Sequence, residues 1–260
     1  MSATGDKDTR QKRPRRPADT PDVKLSKALS YVLRHGAAKE RIPMRPDGYV
    51  RVSDLFKSSR FHAFTAADIA RVARENSKQR FALARSSASG SDADPEPVAL
   101  EATERLTDAT RGEWFIRANQ GHSLTGVEVE MRPLLRVEDF PVAHGASAPC
   151  AVHGTNATAW KKIKESGGLS RMARTHIHLA PGLAGDAHVT SGMRASATVY
   201  IYVNIAAALT AGLQFWESAN GVLLSEGDEN GRIPVSLFDR VVERRPDGTL
   251  AELPIMDVPE

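Results

Sequence analysis

The chain's 260 residues suffice for one large or two modest domains, and a hydrophobic fraction of 41% is ample for a packed core. Lys and Arg total 35 against 32 Asp and Glu, so the net charge of +3 is too small to signal a nucleic-acid partner by bulk alone; where the charges sit has to carry that argument. The single cysteine, Cys150, excludes an internal disulfide framework and a Cys-rich zinc site and fits a reducing compartment, and no apolar run is long enough for a bilayer.

Residues 1–22 (MSATGDKDTRQKRPRRPADTPD) read as a disordered basic arm without the apolar core of a secretory signal. Its RQKRPRR run suits nuclear import, RNA contact or plain solubility. An intracellular protein, cytoplasmic and/or nuclear, is expected. In DVKLSKALSYVLRHG, Leu25, Ala28, Leu29, Val32 and Leu33 fall at helical spacing up to Gly36. Asp47-Gly48 signals a turn into a short strand, Tyr49 to Val52, and Ser53 can cap a short helix through Leu55 and Phe56. Thr65 and Asp68 form a capping-box pattern ahead of the stripe Ile69, Val72, Ala73. RFALA and EWFIRA read as strands, separated by a Ser/Asp/Pro/Glu-rich mobile insertion, 86–112. Helix, strand, helix, helix, strand, strand is the order of a winged helix, expected over 23–131.

A linker is expected over 132–149, a second, β-rich lobe over 150–245 and a tail over 246–260. CAVHGTNATAWKKIKESGGLS reads as a strand, a turn at His153-Gly154-Thr155, and a helix with Ala159 and Ile163 inward. RTHIHLAPG is a short strand into a turn, SATVYIYVN a buried strand, and IAAALTAG a short helix. FWESANGVLLSEG carries strands on either side of Asn220-Gly221, and GRIPVSLFDRVVE supplies the last strand. The fold class is α+β. No G-x-G-x-x-G is present, so a dinucleotide would not be held in the Rossmann manner.

Four polar clusters stand out: Arg34-His35, Lys78-Gln79-Arg80, the stretch IRANQGHSL from Ile116, and a second-lobe set of His153-Gly154-Thr155, Arg174 to His178 and Ser191 to Arg194. Each alone has an ordinary explanation. A cation at a helix C-terminus is favoured by the dipole, and basic residues before a strand are commonly solvated. His176 and His178 share a strand face, but no carboxylate or thiolate partner lies at zinc-ligand spacing; His176 reads as a satisfied core histidine. Were Arg34, Arg80 and Arg117 to converge, they would grip a dianion by bidentate hydrogen bonds.

KLSKALSYVLRHG, KQRFAL, IRANQGHS, VHGT, RTHIHLAPG, SGMR and SANGV occur in this order, and the match they carry covers roughly the span from Leu25 to Val241. In these motifs the chain resembles the NAD-dependent RNA (tRNA) 2′-phosphotransferases. The resemblance implies a winged-helix lobe that binds RNA and an NAD-binding lobe like that of ADP-ribosyltransferases. It implies removal of the internal 2′-phosphate of spliced tRNA through an ADP-ribosylated RNA 2′-phosphate. The products would be 2′-hydroxyl RNA, ADP-ribose 1″,2″-cyclic phosphate and nicotinamide. By resemblance, Arg34, His35, Arg80 and Arg117 are catalytic, and Lys78, Asn119, Gln120 and His122 hold RNA and its phosphate. NAD would be held by His153, Gly154, Thr155, Arg174, His178, Leu179, Ala180, Gly182, Ser191, Arg194, Asn220 and Val222. Val222 stands where many ADP-ribosyltransferases carry a glutamate, which fits an acceptor that is already charged. No metal is implied, and a monomer is expected. Which histidine acts as acid or base stays open. The alternatives are an ADP-ribosyltransferase that stops after the first step and a non-catalytic nucleic-acid-binding winged helix.

Overall fold

A computed structural model of the chain describes residues 18–86, 94–142, 148–183, 186, 189 and 191–255. The RQKRPRR run lies outside them, but Asp22 does not belong to a disordered arm. Thr20 accepts from the Val23 N–H and caps α1 (Pro21–Tyr31), whose first residue is a proline that needs no N–H partner there. The helix expected through Gly36 does not stay α. Its end widens into a π turn, Val32–Gly36. Gly36 permits this, since a Cβ there would fall 2.5 Å from Tyr31 Cε1.

β1 (Val50–Arg51) leads directly into α2 (Val52–Leu55), with Arg51 at the cap position. Ser53 is therefore inside that helix rather than its cap. α3 (Ala66–Glu75) starts as its sequence predicts: Thr65 Oγ1 accepts from the Asp68 N–H and Asp68 Oδ2 accepts from the Thr65 N–H. Its Ile69, Val72 and Ala73 are buried against Leu25, Leu29 and Leu33. β2 (Phe81–Arg85), β3 (Glu96–Val98) and β4 (Trp114–Ala118) join β1 in an antiparallel sheet of order β1-β4-β2-β3. Of the expected mobile insertion, 87–93 lie outside the described residues. The rest is built into the lobe: β3 pairs with β2, and Leu106 and Thr103 are buried beside a 3₁₀ turn, Leu100–Arg105. A few apolar residues in a polar stretch concealed this.

The linker reading is also corrected. β5 (Arg132–Leu134) pairs with a strand of the second lobe, and Leu134 and Phe140 lie in that lobe's core. β6 (Ala151–Thr155) contains His153, Gly154 and Thr155, so these residues form no turn; they pair with Ile201, Tyr200 and Val199. α4 (Ala157–Glu165), capped by Asn156, buries Trp160 rather than Ala159. β7 (Gly168–Ser170), β8 (Ile177–Leu179) and β9 (Val199–Val203) follow, then α5 (Ile205–Thr210). β10 (Phe215–Glu217) and β11 (Leu223–Ser225) make the expected hairpin. Two strands, not one, come next: β12 (Arg232–Pro234) and β13 (Phe238–Arg244). The expected tail contributes β14 (Leu250–Leu253), paired with β13.

Two four-stranded sheets, β5-β10-β11-β8 and β14-β13-β9-β6, enclose the second core, with β12-β7 at the side. Reciprocal backbone hydrogen bonds of 2.8 Å between Val152 and Ala180 tie the two sheets together. The fold is α+β. Among the described residues no helix is long and apolar enough to cross a membrane.

Candidate active site

The π turn at the end of α1 delivers Arg34 and His35 toward the second lobe. Arg34 Nε and Nη2 are buried and, among the described residues, have no hydrogen-bond partner. Burial, then Arg80, then Arg174 push the Arg34 guanidinium down to about 10. Two adjacent arginines and no acid make a poor place for a cation and a good one for a dianion. His35 Nδ1 lies 2.7 Å from Ser123 Oγ, and the Ser123 N–H donates to the Arg34 carbonyl at 3.0 Å. Burial, Arg34 and Arg174 hold His35 below its ordinary value.

Arg80 is set by the loop before β2. Gln79 takes a left-handed backbone, φ +43°, and the Asn119 carboxamide donates to its carbonyl at 2.7 Å. Asn76 Oδ1 accepts from Arg80 Nη1 at 3.2 Å. Burial lowers the Arg80 guanidinium as well.

Arg117 departs from expectation. It lies over the Tyr49 ring, 4.7 Å from the centroid, with Nη1 3.4 Å from the Asp47 carbonyl. The arginines that act on Arg34 are Arg80 and Arg174, not Arg117. β4 explains this: Ile116 and Ala118 point into the core beside α3, so Arg117 exits on the sheet's other face, with Tyr49 and Phe115. His122 is acted on by both Arg34 and Arg117; burial, then Arg34, His35, Arg117 and His176 depress it to about 4. Its Nε2, like Arg117 Nε, is buried without a partner among the described residues.

Gly121 joins the lobes. Its φ of +86° bends IRANQGHSL as predicted, and a Cβ there would sit 3.5 Å from both Arg34 Nε and His178 Nε2. His178 Nδ1 lies 3.0 Å from the His176 carbonyl oxygen and Nε2 lies 2.7 Å from Gln120 Oε1. Burial, then Arg174, drive His178 to about 3, so its ring is neutral and its one N–H is shared between these two acceptors. The Thr175 N–H reaches the His122 carbonyl at 3.3 Å. Lys78 Nζ donates to the Met193 carbonyl at 3.0 Å, and Asn220 Nδ2 donates to the Lys78 carbonyl at 2.9 Å. Lys78 thus faces the second lobe across the cleft.

In that lobe, His153 Nδ1 donates to the His178 carbonyl at 3.0 Å; burial lowers the ring and the carbonyl opposes it. Gly154 lies under Met193, where a Cβ would meet Met193 Cγ at 2.3 Å. Ser191 is buried, and Arg194 acts on Arg174, which burial also lowers. Thr155 stays half-buried on β6, while Gly182 is buried past β8. Leu179 and Ala180 are core residues, and Val222 is fully buried, its backbone closing the Ser218–Val222 turn. These three have no side chain to offer a ligand. His176 is satisfied by Thr175 Oγ1 at 2.8 Å and lies edge-on to Trp216. The contributions of Asn76, Ser123 and Thr175 were not legible in the sequence, since no local pattern marks a residue that holds a distant one.

The fold and site define a two-lobed protein whose lobes meet at a cluster of arginines and histidines, Arg34, His35, Arg80 and His122 from the first and Arg174, His176 and His178 from the second. A sequence model of the RNA 2′-phosphotransferase, Tpt1/KptA family matches residues 20–227, and the chain belongs to that family. It is 40% identical to tRNA 2′-phosphotransferase 1 of Danio rerio over 238 residues, covering 91% of this chain and 92% of that one. It is 40% identical to tRNA 2′-phosphotransferase 1 of Homo sapiens (95% and 85% covered) and 37% identical to tRNA 2′-phosphotransferase of Saccharomyces cerevisiae (86% and 85%).

Proposed function

We propose that this chain transfers the internal 2′-phosphate of spliced tRNA to NAD, giving 2′-hydroxyl RNA, ADP-ribose 1″,2″-cyclic phosphate and nicotinamide. The observation that carries the reading is the buried, unpartnered Arg34 guanidinium beside Arg80 and Arg174. A phosphate dianion there would take the hydrogen bonds that Arg34 lacks. The element order and the β1-β4-β2-β3 sheet support a winged-helix reading of the first lobe, and the two-sheet second lobe supports an ADP-ribosyltransferase-like one.

The residues of the second lobe fit NAD as co-substrate. His153 has its ring fixed through Nδ1, and Gly154 lets the Met193 side chain pack directly on β6, which sets the Ser191–Arg194 loop beside it. Arg174 and Arg194 supply charge for a pyrophosphate. NAD brings the electrophilic ribose carbon and a leaving group. The chain's own part is to bind and orient. Arg34 and Arg80 hold the 2′-phosphate, which is already an anion and needs no base. They also stabilise charge gathering on phosphorus as it is attacked. His35, held by Ser123, is the group placed to move a proton at a ribose hydroxyl. Arg117 extends the positive field beyond Arg34, while His122, depressed to about 4, stays neutral near pH 7. The reading requires no metal and places the enzyme inside the cell as a monomer.

The test is mass spectrometry of a short RNA with one internal 2′-phosphate, with and without NAD. NAD-dependent loss of the phosphate together with the cyclic phosphate is expected. A persistent ADP-ribose adduct would replace the reading with an ADP-ribosyltransferase, and no change would leave a binding module.

A further inference from the structure

Asp22, Ser26 and Ser30 are four residues apart on one face of α1, about 12 Å at 1.5 Å per residue, and Arg34 follows in the π turn that ends the helix. Beside it runs a groove of about 570 Å³, walled on one side by Ser26 and Ser30 and on the other by Asn76, Ser77 and Arg80. Arg80 lines the groove, and its charge acts on Arg34, which lies outside the lining. The groove therefore adjoins the proposed phosphate site through Arg80.

We propose that this groove receives the RNA strand adjoining the 2′-phosphate, a subsite that rests on the transferase reading above. A phosphate seated between Arg34 and Arg80 must send its nucleotide and the attached chain somewhere, and this groove is lined by Arg80. Its chemistry suits a nucleotide. Serine hydroxyls and a carboxamide both donate and accept, so they take ribose hydroxyls and base edges without demanding one sequence. Val72 and the Lys27 stem add apolar contact. The acids at the rim are neutralised: Asp22 is paired with Arg71 at 2.7 Å and Glu75 with Arg74 at 3.3 Å. Asn76 couples groove and centre. Its Oδ1 accepts from Arg80 Nη1, and its Nδ2 faces Ser26 Oγ at 3.4 Å.

The experiment compares kcat/KM on a dinucleotide carrying the 2′-phosphate at its junction with that on hexanucleotides extended on the 5′ or the 3′ side. Wild type is expected to favour one extension by about tenfold or more, the gain expected of one or two well-made nucleotide contacts. Ser26→Phe fills the groove and should collapse that ratio to within about twofold of one, while Ser26→Ala keeps most of it. Ser77→Phe fills the same space from the exposed opposite wall and serves if α1 does not tolerate the larger side chain. A wild-type ratio near one for both extensions, or a ratio that survives both Phe variants, overturns the groove. Loss of phosphate from none of the RNAs overturns the functional reading beneath it, which is a distinguishable result.

Discussion

At the scale of single residues, Arg34 sits where folding alone would not put a cation. Its guanidinium is buried beside Arg80 and Arg174, and Nε and Nη2 lack partners. An uncompensated buried charge costs stability, whereas an apolar residue of similar length does not. Arg34→Met should therefore raise the stability of the ligand-free protein by about 1–3 kcal/mol while removing turnover. Chemical denaturation read beside an activity assay checks both halves; a variant that is both inactive and less stable would show Arg34 to be structural. The histidines give a pH prediction. His122 and His178 are held at about 4 and about 3, below the 6.5 of an unfolded histidine. Between those values the unfolded chain binds more protons, so stability is full above pH 6.5 and falls as pH drops toward the folded values. At pH 5, about 1.5 pH units below 6.5, each histidine should have cost about 2 kcal/mol. Urea midpoints at pH 7.5 and 5.0 should differ less for His122→Asn than for wild type. Equal differences would remove His122 as a source of acid lability.

At the scale of elements, what was legible followed local rules. The Thr65/Asp68 box starts α3, the Gly121 bend comes where expected, and the stripe of Ile69, Val72 and Ala73 faces the core, because capping, left-handed glycine and helical period are decided within a few residues. What was missed depended on partners far along the chain. β5 and β14 are short, and only pairing with β10 and β13 distinguishes them from a linker and a tail. Of the arginines whose convergence the sequence left conditional, Arg80 acts on Arg34, but the other that does so is Arg174, because alternation along β4 sends Arg117 to the opposite sheet face. The strand β6 supplies a prediction of its own. Gly154 has ordinary strand neighbours but no room for a Cβ under Met193. Gly154→Ala has to displace Met193 and with it the Ser191–Arg194 loop, at a cost of about 1–3 kcal/mol in stability. It should weaken NAD binding by about tenfold, with a much smaller effect on RNA binding, in calorimetric titrations. Equal weakening of both would place Gly154 in the general packing of the lobe.

At the scale of the whole molecule, the two lobes are joined at the site itself. His178 meets Gln120, Thr175 meets His122, Asn220 meets the Lys78 carbonyl, and Lys78 reaches Met193. Three of these pairings lie within two residues of a proposed phosphate- or NAD-binding arginine, so the surface that unites the lobes is also the one proposed to meet both substrates. Lys78 is the sharpest case. It was expected to contact phosphate, yet its ammonium is engaged by the loop that carries Arg194, while its chain neighbour two residues on is Arg80. Ordering the Ser191–Arg194 loop should therefore be felt at Arg80 through a hydrogen bond rather than through the substrates. NAD added without RNA should slow amide exchange across Gln79–Phe81 in the wild type, because the loop then holds Lys78 more firmly. Lys78→Met keeps the stem and removes the donor. In that variant NAD should still slow exchange around Met193 but no longer at Gln79–Phe81, and the mutual tightening of NAD and RNA binding should shrink by about fivefold, near 1 kcal/mol of coupling. Protection that reaches Gln79–Phe81 undiminished in Lys78→Met would mean the coupling runs through Gln120 and His178 instead, and Gln120→Ala would then be the variant that breaks it.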